Sequence, residues 1–197
     1  MKLIAQGAES KLFVKGDKLI KRRIRKGYRI KEIDLMLRKH RTRVEARMLK
    51  RCAKIINVPA VRSVSEFEIV MDYIDAPVLR DIMPSASKEL LAKVGEMVGK
   101  LHKHNYIHGD LTTSNMLVKE GEIYVIDFGL SEVRDSTEAK AVDLHLLKQA
   151  LESKHYKEFR HTWEIISKSY ARTYEKGKEV LKRLEIVEKR GRYKNRS

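Results

Sequence analysis

The front part of the chain alternates short apolar runs with turn residues, a pattern that is typical of antiparallel strands. Three such runs lie in LIAQGAESKLFVKGDKLIKRR, residues 3–23, and Gly16-Asp17 falls between two of them, where a two-residue hairpin turn is expected. Residues 60–77, AVRSVSEFEIVMDYIDAP, predict two further strands ended by Pro77. The chain is therefore predicted to begin as an antiparallel sheet.

Two helices are predicted from apolar residues that recur at helical spacing. Residues 33–55 are mostly strong helix formers and carry Val44, Met48 and Cys52 four residues apart. A second, buried helix is predicted from Ser87 onward. Its apolar positions are Leu90, Leu91, Val94, Met97, Val98 and Leu101.

The remainder of the chain is predicted to be a hairpin followed by helices. Residues 116–129, MLVKEGEIYVIDFG, indicate a hairpin around Glu120-Gly121, and everything after Thr137 has helical character. One apolar stripe, more typical of core packing than of a cofactor site, consists of Phe159, Trp163, Ile166 and Tyr170. The predicted fold class is α+β, with a β-rich front half, a helical back half and a mobile basic tail after Val187.

The size and the cysteine content favour one enzyme-sized unit. The chain has 197 residues, enough to bury an apolar interior. Its one cysteine, Cys52, excludes an internal disulfide framework, and no stretch has the length and apolarity of a signal peptide or a membrane span. These features predict a cytoplasmic protein without membrane association.

Positive charge is concentrated in two segments of the chain. The whole chain has 43 Lys and Arg residues against 27 Asp and Glu residues, a net charge of +16. Residues 11–54 contain 18 basic and 4 acidic residues, a net charge of +14, and residues 176–197 contain 9 and 3, a net charge of +6. Such segments predict a polyanionic partner, with nucleic acid as the first candidate. A solvated basic face is the alternative, and no zinc-finger or RNA-recognition aromatic motif decides between them.

Two aspartates lie in motifs that are typical of phosphoryl transfer. In HGDLTTSN, Asp110 follows His108 by two positions and precedes Asn115 by five, which is the spacing of a kinase catalytic loop. Asp127 lies in IDFG, the position from which kinases hold Mg²⁺ beneath the phosphates. In that chemistry one carboxylate orients the attacking hydroxyl while metal ions neutralise the phosphate oxygens.

Kinase chemistry also needs a strand lysine for the α- and β-phosphates and a helical glutamate that pairs with it. Lys21 follows the apolar LI of the third predicted strand, and Glu45 lies in the helix that follows. Alternatives remain open for both, because Lys21 begins the basic run KRRIRK and Glu45 completes a capping box with Thr42. His108 is expected to brace the loop by hydrogen bonds.

Several longer motifs resemble the small atypical kinase of the KEOPS complex, also called the PRPK family, which is related to the RIO kinases. They are QGAES, IKRRIRKGYR, LRKHRTRVEARML, HGDLTTSN, IDFGLS and AVDLHLLKQAL, and the resemblance covers nearly the whole chain. RKGYR and RTRVEAR are not general kinase motifs, so they indicate this family, in its archaeal stand-alone form. The resemblance implies a single miniature bilobal protein-kinase-like domain over residues 1–197. Its parts are an antiparallel β N-lobe with one long helix over 1–74, a reduced helical C-lobe over 75–187 and a basic tail over 188–197.

Carried over residue by residue, the resemblance implies a catalytic set and two metal ligands. Lys21 would hold the phosphates of ATP, and Glu45 would pair with Lys21. Asp110 would be the catalytic carboxylate, while Asn115 and Asp127 would bind Mg²⁺.

The resemblance also implies where the rest of ATP lies. Met71 is similar to the gatekeeper that precedes the hinge, which places the Asp72 carbonyl and the Ile74 amide against the adenine. The front loop GAES keeps Gly7 but lacks the other glycines of protein kinases, so its phosphate cradle must use a different turn.

Two departures from ordinary protein kinases bear on the phosphate acceptor. Gly109 replaces the arginine of H-R-D that pairs with a phosphorylated activation loop, so control by loop phosphorylation is not expected. Only 16 positions separate Asp127 from Asp143, which resembles the aspartate that braces the catalytic loop, and no A-P-E motif lies between them. ATP hydrolysis, or phosphorylation of the chain itself or of a bound partner, is therefore expected.

The family resemblance implies an ATP- and Mg²⁺-dependent atypical serine/threonine kinase or ATPase that supports threonylcarbamoyladenosine formation on tRNA. The implied partners are the threonylcarbamoyl transferase subunit and a small regulatory subunit of the KEOPS complex, with tRNA bound through the basic surface and the C-terminal tail. Two other hypotheses remain. One is a small-molecule phosphotransferase, since aminoglycoside phosphotransferases also have H-G-D, and the other is a non-catalytic basic scaffold for tRNA and a partner enzyme.

Overall fold

A computed structural model describes residues 1–154 and 159–194. Its strands are β1 (Lys2–Gln6), β2 (Ser10–Lys15), β3 (Lys18–Arg23), β4 (Val61–Val64), β5 (Glu68–Asp72), β6 (Tyr106–Ile107), β7 (Met116–Lys119), β8 (Glu122–Val125) and β9 (Glu132–Val133). Its helices are α1 (Lys31–Cys52), α2 (Leu79–Ile82), α3 (Lys88–Lys103), α4 (Thr137–Lys154), α5 (Phe159–Thr173) and α6 (Gly177–Lys194). The expected α+β class, with strands in front and helices behind, is confirmed.

The front half is an antiparallel five-stranded sheet with the order β1-β2-β3-β5-β4. The predicted hairpin between β2 and β3 is confirmed, and Gly16 has a φ of 61° there, the left-handed conformation that favours glycine in such a turn. The prediction that the last strand runs to Pro77 is wrong, since β5 ends at Asp72. The bond from the Tyr73 amide to the Asp17 carbonyl is the last rung, because β3 begins directly after that hairpin turn and offers no further residues to pair with.

Helix α1 packs against β4 and β5 and buries one face. The apolar residues of that face are Ala46, Met48, Leu49 and Cys52. Thr42 lies inside the helix, where its hydroxyl donates to the Arg38 carbonyl at 2.8 Å. The capping-box interpretation of Thr42 and Glu45 is therefore wrong, because α1 already begins at Lys31. Glu45 is left free to serve the site.

The back half is built around the predicted buried helix, α3. Ser87 caps it by accepting the Leu90 amide at 3.2 Å. Helix α5 packs closely on α3, since a Cβ at Gly95 would lie 2.3 Å from the Ile166 carbonyl oxygen. Ile166 and Tyr170 are fully buried, so the core-packing interpretation of the apolar stripe is confirmed.

The C-terminal basic segment belongs largely to α6. This helix continues to Lys194, where the sequence suggested a mobile tail from residue 188, and residues 195–197 of that tail lie outside the described part. Arg183 and Arg190 of α6 both bind Glu138 of α4, which ties the two helices together. Within the described ranges, each helix is too short or too polar to cross a membrane.

Candidate active site

A cavity of about 480 Å³ lies between the sheet and the back half of the chain. Its lining residues from β1 to β3 and α1 are Ile4, Ala5, Gln6, Gly7, Ser10, Leu12, Leu19, Lys21 and Glu45. Its lining residues from the rest of the chain are Pro59, Met71, Asp72, Tyr73, Ile74, Ala76, Val78, Leu117, Ile126 and Asp127. Largely apolar walls with a few charged groups at one end are typical of sites for small molecules and cofactors.

The strand lysine and the helical glutamate meet at the charged end of this cavity. Lys21 is opposite Leu12 on β2 and Ile69 on β5, in the middle of the sheet. Its Nζ donates to Glu45 Oε1 at 2.7 Å, and Glu45 is only 1 % exposed. The structure therefore brings together the lysine and glutamate that the sequence places 24 positions apart.

Asp127 lies across the cavity from the sheet and is bound to the same lysine. Its Oδ1 is 2.8 Å from Lys21 Nζ, while its side chain stays 46 % exposed. Burial acts to raise the pKa of Asp127, but the positive charge and hydrogen bond of Lys21, with the charge of Arg23, hold that pKa below its usual value. Asp127 has a φ of 61°, and such left-handed backbone in a residue other than glycine is concentrated at functional sites.

Asp110 and Asn115 are held together in the loop between β6 and β7. A 3₁₀ turn over Thr113–Asn115 brings the Asn115 side chain back, so that its Nδ2 donates to the Asp110 carbonyl at 2.8 Å and to Asp110 Oδ2 at 3.0 Å. This arrangement fixes the direction of the Asp110 carboxylate. The two residues do not line the cavity itself, in contrast to the other predicted site residues.

The backbone of this loop is anchored from α4 by Asp143. Its two carboxylate oxygens accept the amides of His108 at 2.6 Å and Gly109 at 2.8 Å. The His108 ring contributes a second brace, because its Nε2 is 3.1 Å from the Ile126 carbonyl oxygen, next to Asp127. The bracing roles expected for His108 and Asp143 are therefore confirmed.

Neighbouring backbone leaves room only for glycine at the middle position of H-G-D, Gly109. Gly109 has a φ of 81°, and a Cβ there would lie 2.4 Å from the Leu130 carbonyl oxygen. The backbone of the segment after Asp127 thus occupies the space that an arginine side chain would need. The close approach of this segment therefore accounts for the glycine at position 109.

The predicted hinge residues line the opposite end of the cavity. Met71 is 4 % exposed and closes the cavity from β5, as a gatekeeper would. The amides of Asp72 and Tyr73 donate to the carbonyls of Ala60 and Asp17, whereas the Ile74 amide has no hydrogen-bond partner among the described residues. An edge-on purine could use that amide.

The front loop, residues 7–10, is a turn that ion pairs of Glu9 hold in place. The Gly7 amide donates to the Ser10 carbonyl at 2.9 Å, and Glu9 is bound to Arg29 at 2.7 Å and to Arg41 of α1 at 3.0 Å. These ion pairs attach the loop, which lacks the usual glycines, to α1 through Arg41 and to the segment before α1 through Arg29. Gly7 lines the cavity where the resemblance places it.

One contributor to the site, Arg23, was missed in the sequence analysis. It lies on the same face of β3 as Lys21, it is 5 % exposed, and its Nη2 is 2.5 Å from Glu45 Oε2. In the sequence it is one of five basic residues in KRRIRK, a run that a single isoleucine interrupts. The two-residue strand period counted from Lys21 was the available signal.

The residues present fit a magnesium ion that arrives with a nucleotide. In the described ranges, no group of three or more His, Cys, Asp or Glu side chains could hold a metal ion by itself. Asn115 donates through Nδ2, which leaves its Oδ1 available, and Asp127 offers a half-exposed carboxylate. Mg²⁺ commonly takes one or two such oxygen ligands and completes its shell with water and substrate phosphates.

Comparisons with known proteins place these features in one family. The model of the RIO domain family matches residues 8–144. The chain is 45 % identical to the KEOPS complex subunit Bud32 of Pyrococcus abyssi, over 100 % of this chain and 98 % of that protein. It is also 39 % identical to a probable bifunctional tRNA threonylcarbamoyladenosine biosynthesis protein of Methanosarcina barkeri, over 97 % of this chain and 35 % of that protein, so it spans about a third of that relative.

A solved structure supports the fold. A Rio2 kinase–ADP/Mg²⁺–phosphoaspartate complex from Chaetomium thermophilum matches with a TM-score of 0.63 at 18 % identity, over 98 % of this chain and 72 % of that chain. The protein-kinase-like fold, with an antiparallel N-lobe sheet and a helical C-lobe, is thereby confirmed.

Proposed function

This chain belongs to the RIO-domain family, and we propose that it binds ATP with Mg²⁺ between its lobes, divided after residue 74, and cleaves or transfers the γ-phosphate. The observation that carries the proposal is an alternating ion-pair chain, Arg23–Glu45–Lys21–Asp127, at the charged end of the cavity. The Asp110–Asn115 pair in the neighbouring loop supplies a fixed carboxylate for the attacking group. This is the set of parts that phosphoryl transfer requires.

In the proposed reaction each residue has a separate task. Lys21 binds the α- and β-phosphates, and Glu45 keeps Lys21 in place. Asp110 accepts a hydrogen bond from the attacking hydroxyl or water and so aims it at the phosphorus. Asn115 and Asp127 hold Mg²⁺, which neutralises the charge on the phosphate oxygens when it is bound.

The proposed phosphate acceptor is water, this chain or a bound partner. Between Asp127 and α4 the backbone packs on Gly109 and then forms the two-residue strand β9, which pairs with β6. In protein kinases the corresponding segment is long enough to hold a substrate peptide. In this chain the segment instead contacts Gly109 and β6 of the same domain.

We further propose that the activity serves tRNA modification in a KEOPS-type assembly. Full-length similarity to a KEOPS subunit, and to part of proteins named for threonylcarbamoyladenosine biosynthesis, supports this role. The proposed partners are a threonylcarbamoyl transferase subunit, a small regulatory subunit and tRNA, and the proposed location is the cytoplasm.

Asp110 provides the test of a catalytic function. In Asp110→Asn, ATP turnover should fall by about 100-fold, the usual size of a general-base contribution, while nucleotide affinity stays near that of the wild type. The measurement is phosphate release with and without the partner transferase and tRNA, alongside calorimetric titration with ADP and Mg²⁺. Equal, measurable turnover in the two proteins would remove Asp110 from the reaction, and no turnover in either, with the partner transferase and tRNA present, would leave the non-catalytic scaffold.

A scaffold role in binding tRNA is favoured by a second observation and is compatible with catalysis. The C-terminal half of α1 exposes basic residues at positions spaced to share one helix face. They are Arg43, Arg47 and Lys50, and the exposed Lys54 follows two residues after the end of the helix at Cys52. Within the described part of the chain, the basic residues of α1 that form ion pairs are Arg38, Lys39 and Arg41. This exposed stripe is therefore better suited to a polyanion than Arg183 and Arg190 of α6, which are bound to Glu138.

Charge reversal on this stripe should weaken tRNA binding. Arg43→Glu/Arg47→Glu should lower the affinity for a tRNA transcript, and each lost phosphate contact should reduce the slope of log affinity against log salt by about 0.7 to 0.9. Fluorescence anisotropy at several salt concentrations measures both quantities. Lys168→Glu/Arg172→Glu on α5 is the matched control, with the same spacing, exposure and charge change. Equal losses in the two variants would contradict a specific role for α1.

A further inference from the structure

We propose that Arg23 is a positioning residue of the phosphoryl-transfer site, which holds Glu45 of α1 and the backbone at Gly129 in their working places. This inference rests on the proposed function and concerns a residue outside the motifs that kinases share. Arg23 lies two positions after Lys21 on β3, so both side chains emerge from the same face of the sheet. Both are buried, with 5 % and 7 % of their surfaces exposed.

The first contact of Arg23 is with the helical glutamate. Lys21 binds Glu45 Oε1 at 2.7 Å and Arg23 binds Glu45 Oε2 at 2.5 Å, so each carboxylate oxygen has its own cation. Lys21 is also bound to Asp127, and the four side chains together carry no net charge. Without Arg23, Glu45 would depend on a lysine that Asp127 shares.

The second contact of Arg23 is with the turn that carries Asp127. A Cβ at Gly129 would lie 2.6 Å from Arg23 Nη2 and 3.3 Å from Asp127 Oδ1. The guanidinium group thus fills the space beside Gly129. One planar side chain therefore contacts both α1 and the metal-binding turn, a geometry that a lysine ammonium cannot reproduce fully.

The contacts of Arg23 with α1 and with the Asp127 turn matter because the connection between Asp127 and α4 is short. In protein kinases, the activation segment and the position of the helix decide whether the glutamate reaches the strand lysine. Here the corresponding segment pairs with β6, through β9, on the side of the catalytic loop. Arg23 supplies from within the N-lobe the link between α1 and the Asp127 turn. When Lys21 turns toward a phosphate, the Arg23–Glu45 pair still anchors α1.

Substitution of Arg23 should separate turnover from nucleotide binding. Arg23→Met should lower kcat for ATP turnover by about 100-fold, the cost of a small misplacement of catalytic groups, while KM for ATP changes far less. Arg23→Lys should recover part of kcat because it keeps one charge. Arg22→Gln is the matched control, since Arg22 is the preceding residue of β3, is half exposed and is bound to Glu68.

Gly129 allows the contact to be tested from its other side. Gly129→Ala should push the guanidinium away and lower kcat to a similar extent as Arg23→Met. In the Arg23→Met background the closer of the two contacts is gone and only the 3.3 Å approach to Asp127 Oδ1 is left, so Gly129→Ala should cause a much smaller further loss than it does in the wild type. Losses that multiply in the double variant would show that the two residues act separately and would overturn the proposal.

A measurement without nucleotide distinguishes this inference from the proposed function. In Arg23→Met, amide hydrogen exchange should accelerate in the turn of α1 around Glu45 and at residues 127–129, and not in Arg22→Gln. If the wild type fails to turn over ATP, the proposed function fails, but the exchange pattern still decides the role of Arg23. Unchanged exchange in α1, or an equal rise throughout the chain, overturns the proposal.

Discussion

Asp127→Ala should reduce ATP turnover by about 1,000-fold or more and should remove the effect of Mg²⁺ on nucleotide binding. Metal ions contribute several kcal/mol of charge stabilisation at a transferring phosphoryl group, which corresponds to a rate factor of this size. In the proposed reaction Asp127 would supply the ionised ligand, because Lys21 and Arg23 hold its pKa below the usual value. Asn115 alone would leave the metal with one neutral protein ligand. Titration with ADP in the presence and absence of Mg²⁺, together with phosphate release, measures both effects.

The fold should survive this substitution. Lys21 keeps its bond with Glu45, so the removal of Asp127 leaves that buried lysine with a partner. Asp81→Ala, which removes an exposed carboxylate from α2, is the control for the loss of one negative charge. If Asp127→Ala retained Mg²⁺-dependent nucleotide binding, the assignment of Asp127 as a metal ligand would be wrong.

The elements that the sequence predicted well are those in which a local pattern coincides with the final fold. Gly16 marks its hairpin because only a left-handed turn joins β2 to β3 so closely. The apolar spacing of α3 matches its burial because the helix is packed on several sides. The motifs of the candidate site could be recognised because kinases share fixed residue types at short spacings, as in the segment from His108 to Asn115.

Other features depend on contacts that a local pattern does not contain. Thr42 and Glu45 have the spacing of a capping box, yet α1 begins at Lys31. Glu45 instead binds Lys21 and Arg23 of β3. Arg23 has the same composition signal as its basic neighbours, and its contacts with Glu45 and Gly129 set it apart in the structure. The end of β5 at Asp72 likewise depends on where the neighbouring strand β3 begins, at Lys18.

Sequence and structure together explain the glycine at position 109, where protein kinases have the arginine of H-R-D. The sequence shows that the arginine is missing, which argues against control by loop phosphorylation. The structure gives the physical reason, since the Leu130 carbonyl lies where any side chain at this position would begin. A loop packed this closely relies on its backbone anchors, above all on Asp143.

Asp143→Ala should both destabilise the protein and inactivate it. Asp143 is 1 % exposed, and its loss would leave the buried amide of His108 and the partly buried amide of Gly109 without their acceptors. Unsatisfied buried groups cost about 1–3 kcal/mol each, so the free energy of unfolding should fall by about 3 kcal/mol. Because the same amides precede Asp110, turnover should fall as well under conditions where the variant is fully folded.

The surroundings of Asp143 explain why the loss should not be recovered by rearrangement. Burial lowers the pKa of His102, although Asp143 opposes that effect, so the neutral ring can donate from Nε2 toward Asp143 and accept the Tyr170 hydroxyl at Nδ1. The substitution would therefore also remove the acceptor of His102. Urea unfolding followed by circular dichroism measures the stability, with Glu132→Ala on exposed β9 as the control. An unfolding midpoint equal to that of the control would mean that water replaces the carboxylate, and that the catalytic loop does not depend on α4.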